Sequence, residues 1–289
     1  MESTLTFCEI GPVDGIISAA LAEDLASGDV TGRVTVSAHT RWSARVIAKQ
    51  RLVFAGGAVA RAVFHRVDPA VEVGVLLRDG EVAAAGTELM QLQGNARALL
   101  AAERTALNLL QRMCGVATLT RAYVDAAAGR CRIVDTRKTM PGLRALDRYA
   151  VRCGGGHNHR NDLGAGVLIK ENHVRAAGGV AEAVARARVH APHTLRVECE
   201  VTDLDELRQA LAAGADAVLL DNMDDEQVRA AVAIVEHKAV VEVSGGVSLE
   251  RISQLAQLGI DVISVGKLTH SAPASDISLL FQRGDGSWG

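Results

Sequence analysis

The sequence predicts an α/β protein in two parts, a small antiparallel sheet followed by a (β/α) barrel, which is favoured over a doubly wound sheet. Three observations carry this. Between about residues 42 and 93 the chain is built of short β-rich pieces (WSARVIAK, LVFAG, VEVGVLL, ELMQLQG) separated by turn material such as RDGEV and AAGTE. From 131 onward, six β-branched runs recur: CRIV, GVLI, LRVECEV, AVLL, AVVEV and VISV. Helix-like segments lie between them, and the last four strand-to-strand steps are each about 22 to 28 residues, the spacing of parallel strands joined by right-handed crossovers.

Residues 13–25 open the chain's order with an amphipathic stripe of Ile16, Ile17, Ala20, Leu21 and Leu25, ended by Gly28 and Gly32. After the β-rich pieces, NARALLAAERTALNLLQRMCG reads as a long helix, with Asn95 as N-cap, leucines at 99, 100, 107 and 110, and Gly115 at the C′ position. Glu103 and Arg104 lie within it as ordinary helical charges. In the barrel part the helices are VAEAVARARVHA, LDELRQALAAG, DEQVRAAVAIVEH and LERISQLAQLG.

Composition narrows the function. The chain has 289 residues, 48% hydrophobic but only 3% aromatic, so its core must be built from Ala, Val, Leu and Ile. A net charge of -3 argues against a nucleic-acid binder. Five scattered cysteines (Cys8, Cys114, Cys131, Cys153, Cys199) without CxxC spacing suggest neither a disulfide framework nor a zinc ribbon. The N-terminal MESTLTFCEIGPVDG lacks the features of a signal peptide, and no run is long and apolar enough to span a membrane, so a cytoplasmic protein is expected.

Against that mildly acidic background, Asp135 to His173 gathers Arg137, Lys138, Arg144, Arg152, Arg160 and Lys170 beside three histidines and a triple glycine. Adjacent cations straight after an apolar strand call for an anion, since a buried charge without a partner costs several kcal/mol, on the order of 3 to 5. Other strand ends carry Glu200, Asp221 with Asn222, Ser244 with Gly245 and Gly246, and Gly266 with Lys267. Ligands of parallel α/β folds bind at the carboxyl ends of the strands, so these residues would face one mouth. VSGGVS and SVGKLTH have the small residues of a phosphate cradle. Glu200 and Asp221 suit Mg²⁺, sugar hydroxyls or a cationic transition state. Arginine forks suit carboxylates. A sugar phosphate reacting with an acid is one ligand pair that fits.

These same segments, DTRKTMPGLRALDRYAVRCGGGHNHRNDL and LIKENH, with AERTALNLLQRMCGVATLT, LLDN, EVSGG and ISVGKLTH, resemble the quinolinate phosphoribosyltransferase family almost end to end. The resemblance implies the type II phosphoribosyltransferase fold: an N-terminal α/β sandwich with an antiparallel sheet over residues 1–115, and an incomplete (β/α) barrel over 116–289 whose last residues pack back on the first domain. It implies a pentosyltransferase of NAD biosynthesis that needs Mg²⁺ and joins quinolinate to phosphoribosyl pyrophosphate (PRPP), releasing CO2 and pyrophosphate. It also implies a homodimer or higher assembly with active sites at the subunit interface. Carried over by position, Thr136, Arg137, His159, Arg160 and Lys170 resemble the quinolinate binders, and Arg104 the arginine that reaches a neighbouring subunit's site. Lys138, Glu200 and Asp221 correspond to the catalytic residues around PRPP, its ribose and Mg²⁺, the last two serving the metal directly or indirectly. Ser244, Gly245, Gly246, Gly266 and His270 resemble the 5′-phosphate site. Met140 and Lys267 depart from the family's usual residues.

Other readings remain beside it. His157 and His159 form an HxH pair near His173, as in metal-dependent hydrolases, but they follow GGG rather than an evident strand. Lys170 or Lys138 could form a Schiff base. A silent PRPP binder and a transferase acting on nicotinate complete the set; Arg137, Arg160 and Lys170 together favour a dicarboxylate.

Overall fold

The computed structural model describes residues 12–282 and Trp288, so the expectations for the N-terminal leader region and for Cys8 fall outside it. In chain order the first elements are α1 (Pro12–Asp24), α2 (Val30–Thr35), β1 (Arg41–Ala48), β2 (Leu52–Val53), α3 (Gly57–Val67), β3 (Glu72–Val75), β4 (Val82–Ala83), β5 (Glu88–Asn95) and α4 (Ala96–Ala127). Then come β6 (Arg132–Val134), α5 (Arg144–Cys153), β7 (Val167–Ile169), α6 (Glu171–Ala177), α7 (Val180–His190), β8 (Val197–Val201), α8 (Leu204–Ala212) and β9 (Ala217–Asp221). The chain ends with α9 (Asp225–Val235), β10 (Val240–Ser244), α10 (Leu249–Leu255), β11 (Val262–Ser264), α11 (Lys267–His270) and β12 (Ile277–Phe281). Compactness divides it differently from a single cut at 115. One unit holds the chain up to Leu119, Thr139–Gly155 and the residues from Ser271; the other holds Thr120–Lys138 and Gly156–His270.

The first unit is organised on an antiparallel sheet of order β12-β1-β5-β3. β1 buries Ala44, Val46 and Ala48 and turns the residues between them outward, the two-residue period of a half-buried strand. Its partner residues Leu92 and Met90 on β5 and Leu279 on β12 bury the same face. The segment LVFAG is less of a strand than its composition predicts. Only Leu52 and Val53 pair, and a helix absent from the sequence reading follows. It forms because Val59, Ala60, Val63 and Phe64 lie on one helical face and are buried. Gly56 starts it with φ 99, and the Asp79 carboxylate accepts the Gly56 N–H at 3.1 Å.

Asn95 caps α4 as expected, its side-chain oxygen accepting from Arg97 N at 3.0 Å and Ala98 N at 3.3 Å. Gly115 is not a helix end. The helix runs through it to Ala127, and the glycine serves a close approach: a Cβ there would lie 2.0 Å from the Pro273 carbonyl oxygen. Helix α5 also corrects the picture of one large cation cluster between 135 and 173. It belongs to the first unit, where Arg144 Nε donates to Thr139 at 3.0 Å and the Arg152 guanidinium stands over the Tyr149 ring at 5.5 Å. Its Asp147, fully buried, takes a two-pronged ion pair from Arg112, with both N–O distances 3.0 Å, and accepts the Met140 N–H at 3.1 Å.

The second unit is a six-stranded parallel sheet of order β6-β11-β10-β9-β8-β7. All six predicted strands are present, and the helices between them are α7 to α10 and the shorter α6. At its amino ends, Asp216 accepts the Val197 N–H at 2.7 Å and Asp261 accepts the Val241 N–H at 2.8 Å, so each carboxylate satisfies an amide at the start of a neighbouring strand. At the outer edge of β6, His157 continues the ladder: its N–H donates to Ile133 O at 2.8 Å and its carbonyl accepts from Asp135 N at 3.1 Å. Among the described residues no helix is long and apolar enough to cross a membrane.

Breaking the buried ion pair should be costly. Arg112→Ala is expected to lower the unfolding free energy by about 3 kcal/mol, because it strands the Asp147 carboxylate. Arg175→Ala, which removes an exposed helical pair with Glu171, should change it by less than about 0.5 kcal/mol. Denaturant titration of both variants reads the difference.

Candidate active site

Side chains alternate along a strand, and in this sheet the alternation carries polar residues onto the interior face. Strand β8 buries Val197, Cys199 and Val201 on one side and presents Glu198 and Glu200 on the other. Leu168 and Lys170 follow the same spacing at β7, Leu219 and Asp221 on β9, and Glu242 and Ser244 on β10. At their carboxyl ends lies a cavity of about 280 Å³, lined by Thr136, Arg137, Lys138, His159, Arg160, Leu168, Lys170, Leu219, Glu242, Ser244 and Ser264. Larger hollows exist, of about 420 Å³ against the antiparallel sheet and about 610 Å³ at the amino ends of the parallel strands, but neither gathers cations in this way.

On the cationic side, Arg137 and Arg160 share the cavity wall. Burial, and then the Arg137 charge, work against the charge on Arg160, while Glu198 favours it. Arg160 Nη1 also donates to the Gly166 carbonyl at 3.1 Å, which fixes the guanidinium. Two guanidiniums held close enough to oppose each other are matched by carboxylates. Lys170 Nζ is ion-paired with Glu200 Oε2. Its neighbour His173 accepts the Lys170 N–H on Nδ1 at 2.9 Å, closing the first turn of α6 rather than entering the cavity.

The GHNHR segment is positioned by Asp135, a fully buried carboxylate after β6. It accepts the His159 N–H at 2.8 Å and the Asn158 side-chain N–H at 2.6 Å. His159 Nε2 then lies 3.4 Å from Glu198 and 3.3 Å from Glu242. Those two carboxylates push the imidazole up to about 10, with burial opposing, and Glu198 is pushed above the usual carboxylate range chiefly by burial. A doubly protonated ring conflicts with one contact: the Arg160 N–H meets Nδ1 at 2.7 Å and needs a lone pair there. With Nδ1 accepting from Arg160 N, the ring carries its hydrogen on Nε2, between Glu198 and Glu242. The ligand atoms of the three groups lie within 4.8 Å of one another. Of the HxH pair, His157 serves the β6 edge through its backbone, and the His159 ring faces two glutamates.

On the opposite side, the Asp221 carboxyl is raised by burial and then by the neighbouring Glu200, and drawn back by Lys170, Asn222 and Lys138. Two carboxylates set against each other at adjacent strand ends form an oxygen-rich place that a hard divalent cation would relieve. Asp221 pairs in register with Ser244, after which the chain turns through Gly245 and Gly246 at φ 83 and 57. Lys138 runs over Gly266, where a Cβ would meet Lys138 Cδ at 3.0 Å and His270 Cδ2 at 3.2 Å. The Thr269 hydroxyl donates to the Lys138 carbonyl at 2.8 Å and fixes that loop.

Of the expected site residues, Thr136, Arg137, Lys138, His159, Arg160, Lys170 and Ser244 line the cavity, and Glu200, Asp221, Gly245, Gly246, Gly266 and His270 are joined to it by the contacts above. Arg104 is exposed on α4 in the first unit. The carboxylates Glu198 and Glu242 were missed; the alternation ECE and the E of VEVS were their available signal.

Comparison with known proteins agrees with this picture. Models of the N-terminal and C-terminal domains of quinolinate phosphoribosyl transferase match residues 29–114 and 116–280. The nicotinate-nucleotide pyrophosphorylase (carboxylating) of Mycobacterium leprae is 44% identical over 282 residues, covering 95% of this chain and 99% of that protein. A chloroplastic counterpart from Arabidopsis thaliana is 39% identical over 283 residues, covering 91% and 81%. The solved nicotinate-nucleotide pyrophosphorylase of Francisella tularensis superposes with a TM-score of 0.90 at 40% identity, covering 96% of this chain and 99% of that one. With both domain models matched across most of its length, the chain belongs to the quinolinate phosphoribosyltransferase family.

Proposed function

We propose that the chain transfers a phosphoribosyl group from PRPP to the nitrogen of quinolinate and that the 2-carboxyl group leaves as CO2, giving nicotinate mononucleotide and pyrophosphate. The observation that carries this reading is the pairing of Arg137 with Arg160 in one cavity wall, within a family whose relatives bear the corresponding name. Lys170 adds a third cation on that side. Three cations suit two carboxylates better than the single carboxylate of nicotinate. His159 is less suited to a carboxylate than the arginines, because its Nε2 already faces Glu198 and Glu242.

The remaining groups fit the phosphoribosyl side. Departure of pyrophosphate leaves positive charge on the ribose ring, and Glu200 and Asp221 can stabilise it. Lys138 neutralises charge on the leaving group, and the turn at Ser244, Gly245 and Gly246 with Gly266 and His270 receives the 5′-phosphate. Mg²⁺ fits the opposed carboxylates of Glu200 and Asp221, where it would supply charge neutralisation for the pyrophosphate. Lys170 is paired with Glu200 and can exchange that partner for a substrate carboxylate. After transfer, Arg137 and Arg160 hold the pyridine while negative charge develops beside its nitrogen during loss of CO2. Four free thiols, Cys114, Cys131, Cys153 and Cys199, suit a cytoplasmic enzyme. A homodimer in which the Arg104 of one subunit completes the other's site accords with its exposed position on α4.

Purified protein with Mg²⁺, PRPP and quinolinate should release CO2 and form nicotinate mononucleotide; turnover of nicotinate with none of quinolinate would overturn the reading. Arg137→Ala should raise KM for quinolinate by roughly tenfold or more while Asp221→Ala acts on the PRPP side, and equal quinolinate affinity in wild type and Arg137→Ala would refute the first assignment. Mixing Arg104→Ala with Lys138→Ala protein should recover activity through hybrid sites. No recovery despite subunit exchange counts against a shared site.

A further inference from the structure

Asn222 stands immediately after Asp221 with φ 55, in the left-handed region that non-glycine residues avoid. Holding a side chain there costs on the order of 1 kcal/mol relative to glycine, so the side chain must return something. Local structure does not need it. The start of α9 is capped by Asp224, which accepts from Gln227 N at 2.8 Å while the Gln227 side chain accepts from Asp224 N at 3.0 Å. The Asn222 amide points the other way, donating from Nδ2 to Asp221 Oδ2 at 2.8 Å.

The other half of the amide lies against the neighbouring turn. A Cβ on Gly245 would come within 2.3 Å of Asn222 Oδ1, 2.7 Å of its Cγ and 2.9 Å of Asp221 Oδ1. Glycine at 245 therefore leaves room for the pair, in addition to accommodating its own φ of 83. The backbone joins the same two loops: Asn222 N donates to Ser244 O at 3.1 Å, one step beyond the Asp221–Ser244 register pair.

We propose that Asn222 is a positioning residue that holds the Asp221 carboxylate and the Ser244–Gly246 turn in one arrangement, setting the distance between the ribose-side carboxylate and the phosphate turn. This rests on the function proposed above, and it deepens that function by assigning recognition of the phosphoribosyl substrate to a residue that need not touch it. The arrangement is a small wedge: amide nitrogen on one carboxylate oxygen, amide oxygen on a glycine that has no side chain to displace it. Rigid support of this kind keeps a catalytic carboxylate from rotating toward its cationic neighbours.

Asn222→Gly separates this role from a structural one. Glycine accepts the left-handed φ without strain, so the melting temperature should stay level or rise, while the amide donor is lost. KM for PRPP is expected to rise about tenfold and KM for quinolinate to stay within about twofold. Asn222→Asp, which sets a like charge against Asp221, should weaken PRPP further. Calorimetric titration of Mg²⁺ and PRPP into wild type and both variants reads the same effect without turnover. If wild type binds PRPP but does not convert quinolinate, the functional reading fails while the titration still decides the role of Asn222. Unchanged PRPP affinity in Asn222→Gly, an equal rise in both KM values, or no PRPP binding by wild type would each overturn the inference.

Discussion

The site depends on a dense exchange of charge at the carboxyl ends of six parallel strands. Four inward carboxylates, Glu198, Glu200, Asp221 and Glu242, meet Lys170, His159 and the guanidiniums of Arg137 and Arg160 around one cavity. Asp221 and Glu198 are raised, Arg160 is opposed by burial and by Arg137, and Lys170 is occupied by Glu200. In water each interaction would be small, but removal from solvent makes compensation compulsory. The charged groups of the cavity are thus kept in place by their opposition to one another.

Much of this was legible in the sequence, because strand alternation and the chemistry of strand ends are local. The runs ending in DTRK, IK, LLDN, VSGG and SVGK all become strand ends of the second unit. What escaped was set by contacts distant in sequence. Helix α3 is written in Gly, Ala and Val, which suit a buried strand as well as a helix until burial of Phe64 and capping by Asp79 decide. Gly115 carries the ordinary signature of a helix end, and only the Pro273 carbonyl, far along the chain, explains it as a close approach.

The arginines give the same lesson in the site itself. Arg144 and Arg152 are of the same type as Arg137 and Arg160 and stand among them in sequence, yet α5 carries them into the other compact unit. Spacing along a chain cannot distinguish a cation that binds a ligand from one that binds a threonine hydroxyl or a tyrosine ring. His159 was legible as a site residue, while its orientation toward Glu198 and Glu242 was not, since both partners lie on strands read mainly for their apolar residues.

The short ladder made by His157 has a consequence for the sheet as an object among other molecules. An open parallel sheet offers unpaired amides and carbonyls at each border, a template on which a foreign strand can grow. Here β6 has three residues, and the chain's own return segment satisfies Ile133 O and Asp135 N along its border. The loop that brings the imidazole to the cavity thereby also guards a border of the sheet, so lesions in GGGHNHR can surface as aggregation as readily as lost activity.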